Sequence, residues 1–267
     1  MADEDIEEIA DKFAGKFDVM TCSTAWDRSV LAERELKISQ AVCLLWQNST
    51  TGEVAGRHSD LHLLVCVYCA GLLDLLIMEK IRINDMLSTC LCLVSKKKMV
   101  EIDHNQGTST YLDSLGLTEI MDQRDNPREL VDWLEESVDK DDDKNASYVT
   151  LESLVKGGFF RKEKLSVGTR FYLNNQGTFT EIKQSLVQDM RDSLLTEKTP
   201  DLYMRVILTL LQGADHYRDN YDKDKIFKQY FSKPEYKQAK ARLKIISRDW
   251  PPIPPPPPAP ATTTTTA

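Results

Sequence analysis

The sequence predicts a mainly α-helical protein: a helical core with peripheral amphipathic helices and short β-hairpins. Three observations carry this. Residues 61–80 are apolar almost all round, as expected of a helix in the middle of a domain. Phe179, Ile182, Leu186, Met190 and Leu194 recur at helical spacing, and residues 202–214 are a second strongly apolar stretch. Strand-like segments flank basic connections at 90–102 and 159–173, which reads as two hairpins.

Taken from the start, residues 1–12 hold six acids and one lysine. Little apolar surface there offsets the entropy of ordering, so residues 1–28 are expected to be a disordered acidic tail. A folded domain is expected over 29–250. Ser39-Gln40-Ala41-Val42-Cys43-Leu44-Leu45-Trp46 is apolar and should be buried, and so short a run suits helix or strand equally. Residues 48–52 are turn-rich and should close a hairpin or loop.

Ile81-Arg82-Ile83 alternates like a strand edge. Residues 90–94 and 99–102 read as strands, with 95–98 as the turn, which puts Lys96, Lys97 and Lys98 at a hairpin tip. Asn126-Pro127-Arg128-Glu129 has the chemistry of a helix start, with Asn as cap and Pro at the first position. Leu130, Trp133, Leu134 and Val138 then share one face. Residues 139–145 form a charged loop, and a helix over 148–156 stops at Gly157-Gly158. Phe159-Phe160 and Phe171-Tyr172-Leu173 flank the second basic connection, which carries Arg161, Lys162, Lys164 and Arg170. Thr178 with Glu181 makes a capping box. Residues 222–247 are charged and amphipathic, helical with a break near Pro234. Eight of the 11 prolines lie in 251–260, followed by a threonine run. That composition predicts a disordered polyproline II tail over 251–267, suited to a spacer or to a polyproline-binding partner.

The chain has 267 residues, a hydrophobic content of 41% and a net charge of −8. It can bury a core, and its acidity argues against general binding to nucleic acid. The acidic start lacks the basic segment and apolar run of a secretory signal. The longest apolar run, 61–78, contains Asp74, and a carboxylate at a bilayer centre costs about 2.5–3.5 kcal/mol, so a buried core helix is expected instead.

Chemistry-bearing motifs are few. Cys66-x-x-Cys69 and Cys90-x-Cys92 together would supply four thiolates to zinc. The first pair sits in an apolar helix, however, and buried reduced thiols are the favoured reading. Asp74 is the one ionisable group in a strongly apolar setting. It is either a perturbed acid or, by preference, a group paired with a neighbouring backbone or arginine. No nucleophile, metalloprotease, P-loop or dinucleotide motif occurs, so no catalytic residue and no cofactor is assigned. The two basic hairpin tips, if they face one way, would make an anion-binding surface.

The order of elements resembles the Golgi phosphoprotein 3 family over roughly 36–250. The carriers are Cys43-Leu44-Leu45 before Thr51-Gly52, Ala70-Gly71-Leu72-Leu73-Asp74-Leu75-Leu76 before Lys80-Ile81-Arg82-Ile83, Leu154-Val155-Lys156-Gly157-Gly158, and Glu181-Ile182-Lys183-Gln184. In that resemblance Asp74 takes the place of the family's acid. The resemblance implies a peripheral adaptor on the cytoplasmic face of Golgi membranes, with a cytosolic pool. It implies binding to phosphatidylinositol 4-phosphate, and to coatomer and glycosyltransferase tails as partners in vesicle trafficking and retention. The family's headgroup positions fall near Ser59, Tyr68, Lys144 and Ser147, so Arg57 and Lys144 join the expected lipid-binding residues Lys96, Lys97, Lys98, Arg161, Lys162, Lys164 and Arg170. The alternative is an interaction module without lipid binding, which recruits partners through the proline tail. A zinc-bound regulator is a weaker option.

Overall fold

The computed structural model describes residues 6–47, 61–90, 93–141, 144–164, 169–174, 178–214 and 226–252, with backbone only at 87–96, 178 and 226. In chain order these form α1 (Ile6–Thr21), α2 (Arg28–Ala32), α3 (Ile38–Trp46), α4 (Leu61–Ile77), β1 (Ile81–Cys90) and β2 (Leu93–Ile102). A π-helical turn (Asp113–Leu117) runs into α5 (Thr118–Asp122), then come β3 (Arg128–Glu129), α6 (Leu130–Glu136) and α7 (Ala146–Lys156). The remainder is β4 (Phe160–Lys164), β5 (Thr169–Leu173), α8 (Thr178–Leu195), α9 (Leu202–Ala214), a 3-10 turn (Ile226–Gln229) and α10 (Lys233–Arg248). The mainly helical expectation holds, with two small antiparallel sheets, β1-β2-β3 and β4-β5.

The apolar run forms the central helix. Every side chain of α4 from His62 to Ile77 is buried, and α1, α3, α6, α7 and α9 pack around it. Cys66 and Cys69 are buried thiols of this helix, and burial pushes the Cys69 thiol up. Among the described residues no helix is long and apolar enough to cross a membrane, and no cluster of His, Cys, Asp and Glu is arranged for a metal.

The expected disordered tail over 1–28 is corrected at residues 6–21. Ile9, Ala10, Phe13, Phe17 and Met20 fall at i, i+3, i+4 and i+7 spacing, and all are buried. The count of acids concealed this stripe, because Glu7, Glu8 and Asp11 occupy the exposed face. α1 lies so close to α9 that a Cβ at Gly213 would sit 2.9 Å from Phe13 Cε1. Only glycine permits that approach without a shift.

The run 38–46 resolves as helix, and its start is capped from far along the chain. Lys37 N–H donates to Gln40 Oε1 at 3.2 Å. Ile38 N–H and Ser39 N–H donate to the two oxygens of Asp74 at 2.8 and 3.0 Å. Ser39 Oγ–H donates to Asp74 Oδ2 at 2.7 Å and is 2.6 Å from Tyr111 Oη. Asp74 thus does for α3 what a local cap residue does elsewhere: it satisfies orphan N–H groups and places negative charge at the helix N-terminus. Pairing with neighbouring backbone was the preferred reading of this acid, and it holds. Burial nevertheless raises its carboxyl to about 6, against the Ser39 and Ile38 hydrogen bonds and nearby Lys37, which lower it.

The first hairpin differs from expectation. β1 pairs with β2 from Ile81↔Ile102 to Cys90↔Leu93, so 95–98 is not the turn. Lys96, Lys97 and Lys98 are therefore strand residues, opposite Leu87, Met86 and Asp85. Lysine has none of the turn-forming properties of Gly, Asn, Asp or Pro, and Lys97 and Lys98 meet acids on facing elements. Arg128–Glu129 also departs from the expected helix start. It extends the sheet as β3, pairing with Met99 and Val100 of β2, and α6 begins one residue later.

The second hairpin forms, but Arg161, Lys162, Lys164 and Arg170, expected in its connection, are residues of its paired strands. Gly158 has φ +81°, where a side chain is strained, and turns the chain from α7 toward β4. The break expected near Pro234 falls at 230–232, between the 3-10 turn and α10; Pro234 lies in the first turn of α10, and Ser232 with Glu235 makes a capping box. Trp250 Nε1–H donates to Thr209 Oγ1 at 3.1 Å and Ser23 Oγ–H to Pro251 O at 2.8 Å, which ties the end of the domain to α9 and to the chain just after α1.

Candidate functional site

The predicted basic surface is split by the fold. On the β4-β5 ribbon, Arg161 pairs with Tyr172, Lys162 with Phe171, Glu163 with Arg170 and Lys164 with Thr169. Side chains alternate across a strand, so Arg161, Glu163 and Arg170 share one face, with Glu163 3.9 Å from Arg161, while Lys162 and Lys164 share the other. Phe160 and Phe171, on the second face, are buried in the core. Lys162 there forms an ion pair with Glu152 of α7 at 2.6 Å. Lys164 is exposed.

Lys97 and Lys98 belong to a different place. They line a cleft of about 480 Å³ with Asp11, Asp18, Asp85 and Glu129. Lys97 pairs with Glu129, and Lys98 with Asp18 and Asp85, both at 2.6 Å. Burial works to lower the Lys98 ammonium, but those two carboxylates hold it well above the usual lysine range. The acids outnumber the lysines, so this cleft is no anion site. Lys144 pairs with Asp141 at 2.7 Å in the exposed loop before α7. Arg57 lies outside the described residues, and the side chain of Lys96 does too.

The Arg161 face borders a groove of about 1160 Å³ between the ribbon and α8. Arg161 lies over the Tyr172 ring, 4.6 Å from its centroid, at the rim. Polar side chains line the walls: Asn174, Thr180, Gln184 and Gln188, with Glu181 as the one acid. Lys183 is at the base, only 4% exposed. Its ammonium donates to Gln47 O at 2.8 Å and to Gln47 Oε1 at 2.5 Å. Among the described residues no carboxylate pairs with it, and burial lowers it to about 8. A buried cation with only neutral acceptors is short of counter-charge. The groove therefore offers an anion a fixed ammonium below and a guanidinium at the rim.

Sequence reasoning passed over Lys183. The signal was present: it stands four residues after Phe179 and three before Leu186, inside the apolar stripe of α8. Lys183 also holds α3 from its C-terminal end, where orphan carbonyls favour a cation. Replacing it by Met should leave both Gln47 acceptors unpaired at a cost of about 1–3 kcal/mol, measured by urea unfolding at pH 7. The sign of its pH effect follows from the lowered ammonium. Between about 8 and 10.5 the unfolded chain holds the proton more firmly, so this group's contribution to stability rises with pH across that window. The Met variant should lose that rise.

A family model described as Golgi phosphoprotein 3 (GPP34) matches residues 38–254. The chain belongs to this family. No curated protein matches the chain significantly. The match begins at the first residue of α3 and runs beyond Trp250, so it includes the Asp74 cap, the ribbon, the groove and α10. Membership in the Golgi phosphoprotein 3 family points to a Golgi-associated function and places the chain in a family of non-enzymatic adaptors.

Proposed function

We propose that this member of the Golgi phosphoprotein 3 family is a peripheral adaptor that binds phosphatidylinositol 4-phosphate at the cytoplasmic face of Golgi membranes. In that role it supports vesicle trafficking and retention of Golgi proteins, with coatomer and glycosyltransferase tails as its partners. The observation that carries the lipid reading is the groove beside β4-β5, which Lys183 and Arg161 both line and where, among the described residues, no carboxylate pairs with Lys183. A phosphomonoester supplies the missing counter-charge and accepts the paired N–H groups of a guanidinium. Arg170 shares the Arg161 face of the ribbon, with Glu163 between them: Glu163 lies opposite Arg170 and 3.9 Å from Arg161, so the two arginines leave that face one positive charge in excess. The expected residues Lys97 and Lys98 drop out of this surface because acids already neutralise them.

Flotation of the whole chain with phosphatidylcholine vesicles, with and without phosphatidylinositol 4-phosphate, tests the reading. The lipid should bring protein to the top of the gradient. Arg161→Ala combined with Arg170→Ala should weaken that lipid-dependent part by about tenfold or more, the size of a lost charge-assisted contact. Flotation indifferent to the phosphoinositide removes the proposal.

A further inference from the structure

α10 departs most sharply from the acidic average of the chain. Its basic residues are Lys233, Lys237, Lys240, Arg242, Lys244 and Arg248, against one acid, Glu235, in a chain of net charge −8. Ala239, Leu243 and Ile246 face inward, toward α8 and α9. Lys233, Lys237, Lys240 and Lys244 follow at steps of four, three and four, which sets them on one outward stripe. All four are exposed.

The nearby described carboxylates are taken by other partners. Glu235 is occupied by the Ser232 cap and by Arg191 at 2.6 Å. Asp249, at the far end, pairs with Arg248 at 2.8 Å. Among the described residues no carboxylate pairs with Lys233, Lys237, Lys240 or Lys244. Like charges three and four apart oppose helix formation, so the row disfavours its own helix. An exposed Ile245, 43% accessible, stands beside it. A concavity of about 360 Å³ there is lined by Tyr236, Lys237, Lys240, Ala241 and Lys244.

We propose that the outer face of α10 is a second membrane contact, which rests on the surface of an anionic bilayer. A 16-residue helix with its cations in a row matches a plane of negative charge. Ile245 beside the lysines suits the boundary between headgroups and acyl chains, as in interfacial amphipathic helices. The lysines read charge density and not the stereochemistry of one headgroup. The contact therefore has the membrane in common with the groove reading above but neither its residues nor its lipid.

The test uses the whole chain and phosphatidylcholine vesicles containing phosphatidylserine and no phosphoinositide. At low salt the protein should float with them, and raised salt should release it. Lys237→Ala, Lys240→Ala and Lys244→Ala together should lower partitioning on the order of a hundredfold, since each near-surface charge contributes about fivefold. Ile245→Asp, an exposed site that leaves the lysines in place, should also weaken it. Three results overturn the inference: no flotation on phosphatidylserine at low salt, a triple variant that floats like the parent, or capture of the stripe by a polyglutamate peptide while vesicles are ignored. Phosphatidylserine binding that persists when phosphoinositide dependence fails upholds α10 and removes the groove reading alone.

Discussion

Deleting residues 1–21 should leave a chain that does not fold at 25 °C, seen as loss of a cooperative thermal transition by circular dichroism. The magnitude follows from burial. Ile9, Phe13, Phe17 and Met20 are each no more than 1% exposed, and four large apolar side chains contribute about 6–12 kcal/mol at 1.5–3 each. That is comparable with the whole stability of an ordinary domain, roughly 5–15 kcal/mol. The deletion also uncovers apolar surface on α4, α6 and α9, against which α1 packs. A milder variant separates packing from truncation. Phe13→Ala should cost about 3–5 kcal/mol in urea unfolding, while Glu8→Ala on the exposed face should change little. An acidic tail without structure would give no effect in any of the three.

The second large effect belongs to Asp74. Asp74→Ala strands the N–H groups of Ile38 and Ser39 and the Ser39 hydroxyl inside the core. Orphaned buried donors cost about 1–3 kcal/mol each, and the variant is relieved of holding a buried charge, so a net loss of about 2–4 kcal/mol is expected. Asp74→Asn keeps one acceptor but turns an amide N–H₂ toward a backbone N–H, and should lose about half as much. The pH dependence has a definite sign. The folded carboxyl titrates near 6 and the unfolded one near 3.8. Between those values the native state binds the proton more firmly, so the contribution of Asp74 to stability falls as pH rises from about 4 to 6 and is flat above. Unfolding free energies across that range should show the fall in the parent and not in the Asn variant.

The long elements were legible because their apolar patterns are long. Residues 61–77, 178–195 and 202–214 announce helices by continuous or periodic hydrophobicity. The β4-β5 hairpin was legible through its aromatic flanks. Three features were not, each for a physical reason. The apolar stripe of α1 is interleaved with acids, so composition outweighed periodicity. The lysines at 96–98 read as a polar tip, because the acids that meet Lys97 and Lys98 sit far along the chain, on α1 and β3 as well as on β1. β3 has two residues and owes its extended form to the edge of β2, which no local signal encodes. The basic candidates at 161–170 read as one cluster, but a ribbon's period of two divides neighbours between opposite faces. Lys183 was hidden differently, as a cation inside a stripe read only for its hydrophobes.

The two ends of α3 are fastened by strangers to it in sequence. Asp74 holds its first amides across 36 residues. Lys183 holds the carbonyl just past its last turn across 136, and Tyr230 Oη–H reaches Leu45 O across 185. A helix of nine residues has little stability of its own in water. During folding α3 therefore cannot act as an early local seed. It becomes durable only after the long loops to α4, α8 and the turn before α10 have closed, and each closure must be met before its contact is gained. The same dependence runs backward. Opening at any of those remote holders releases α3, which makes this short helix the reporter of whether the domain as a whole is assembled.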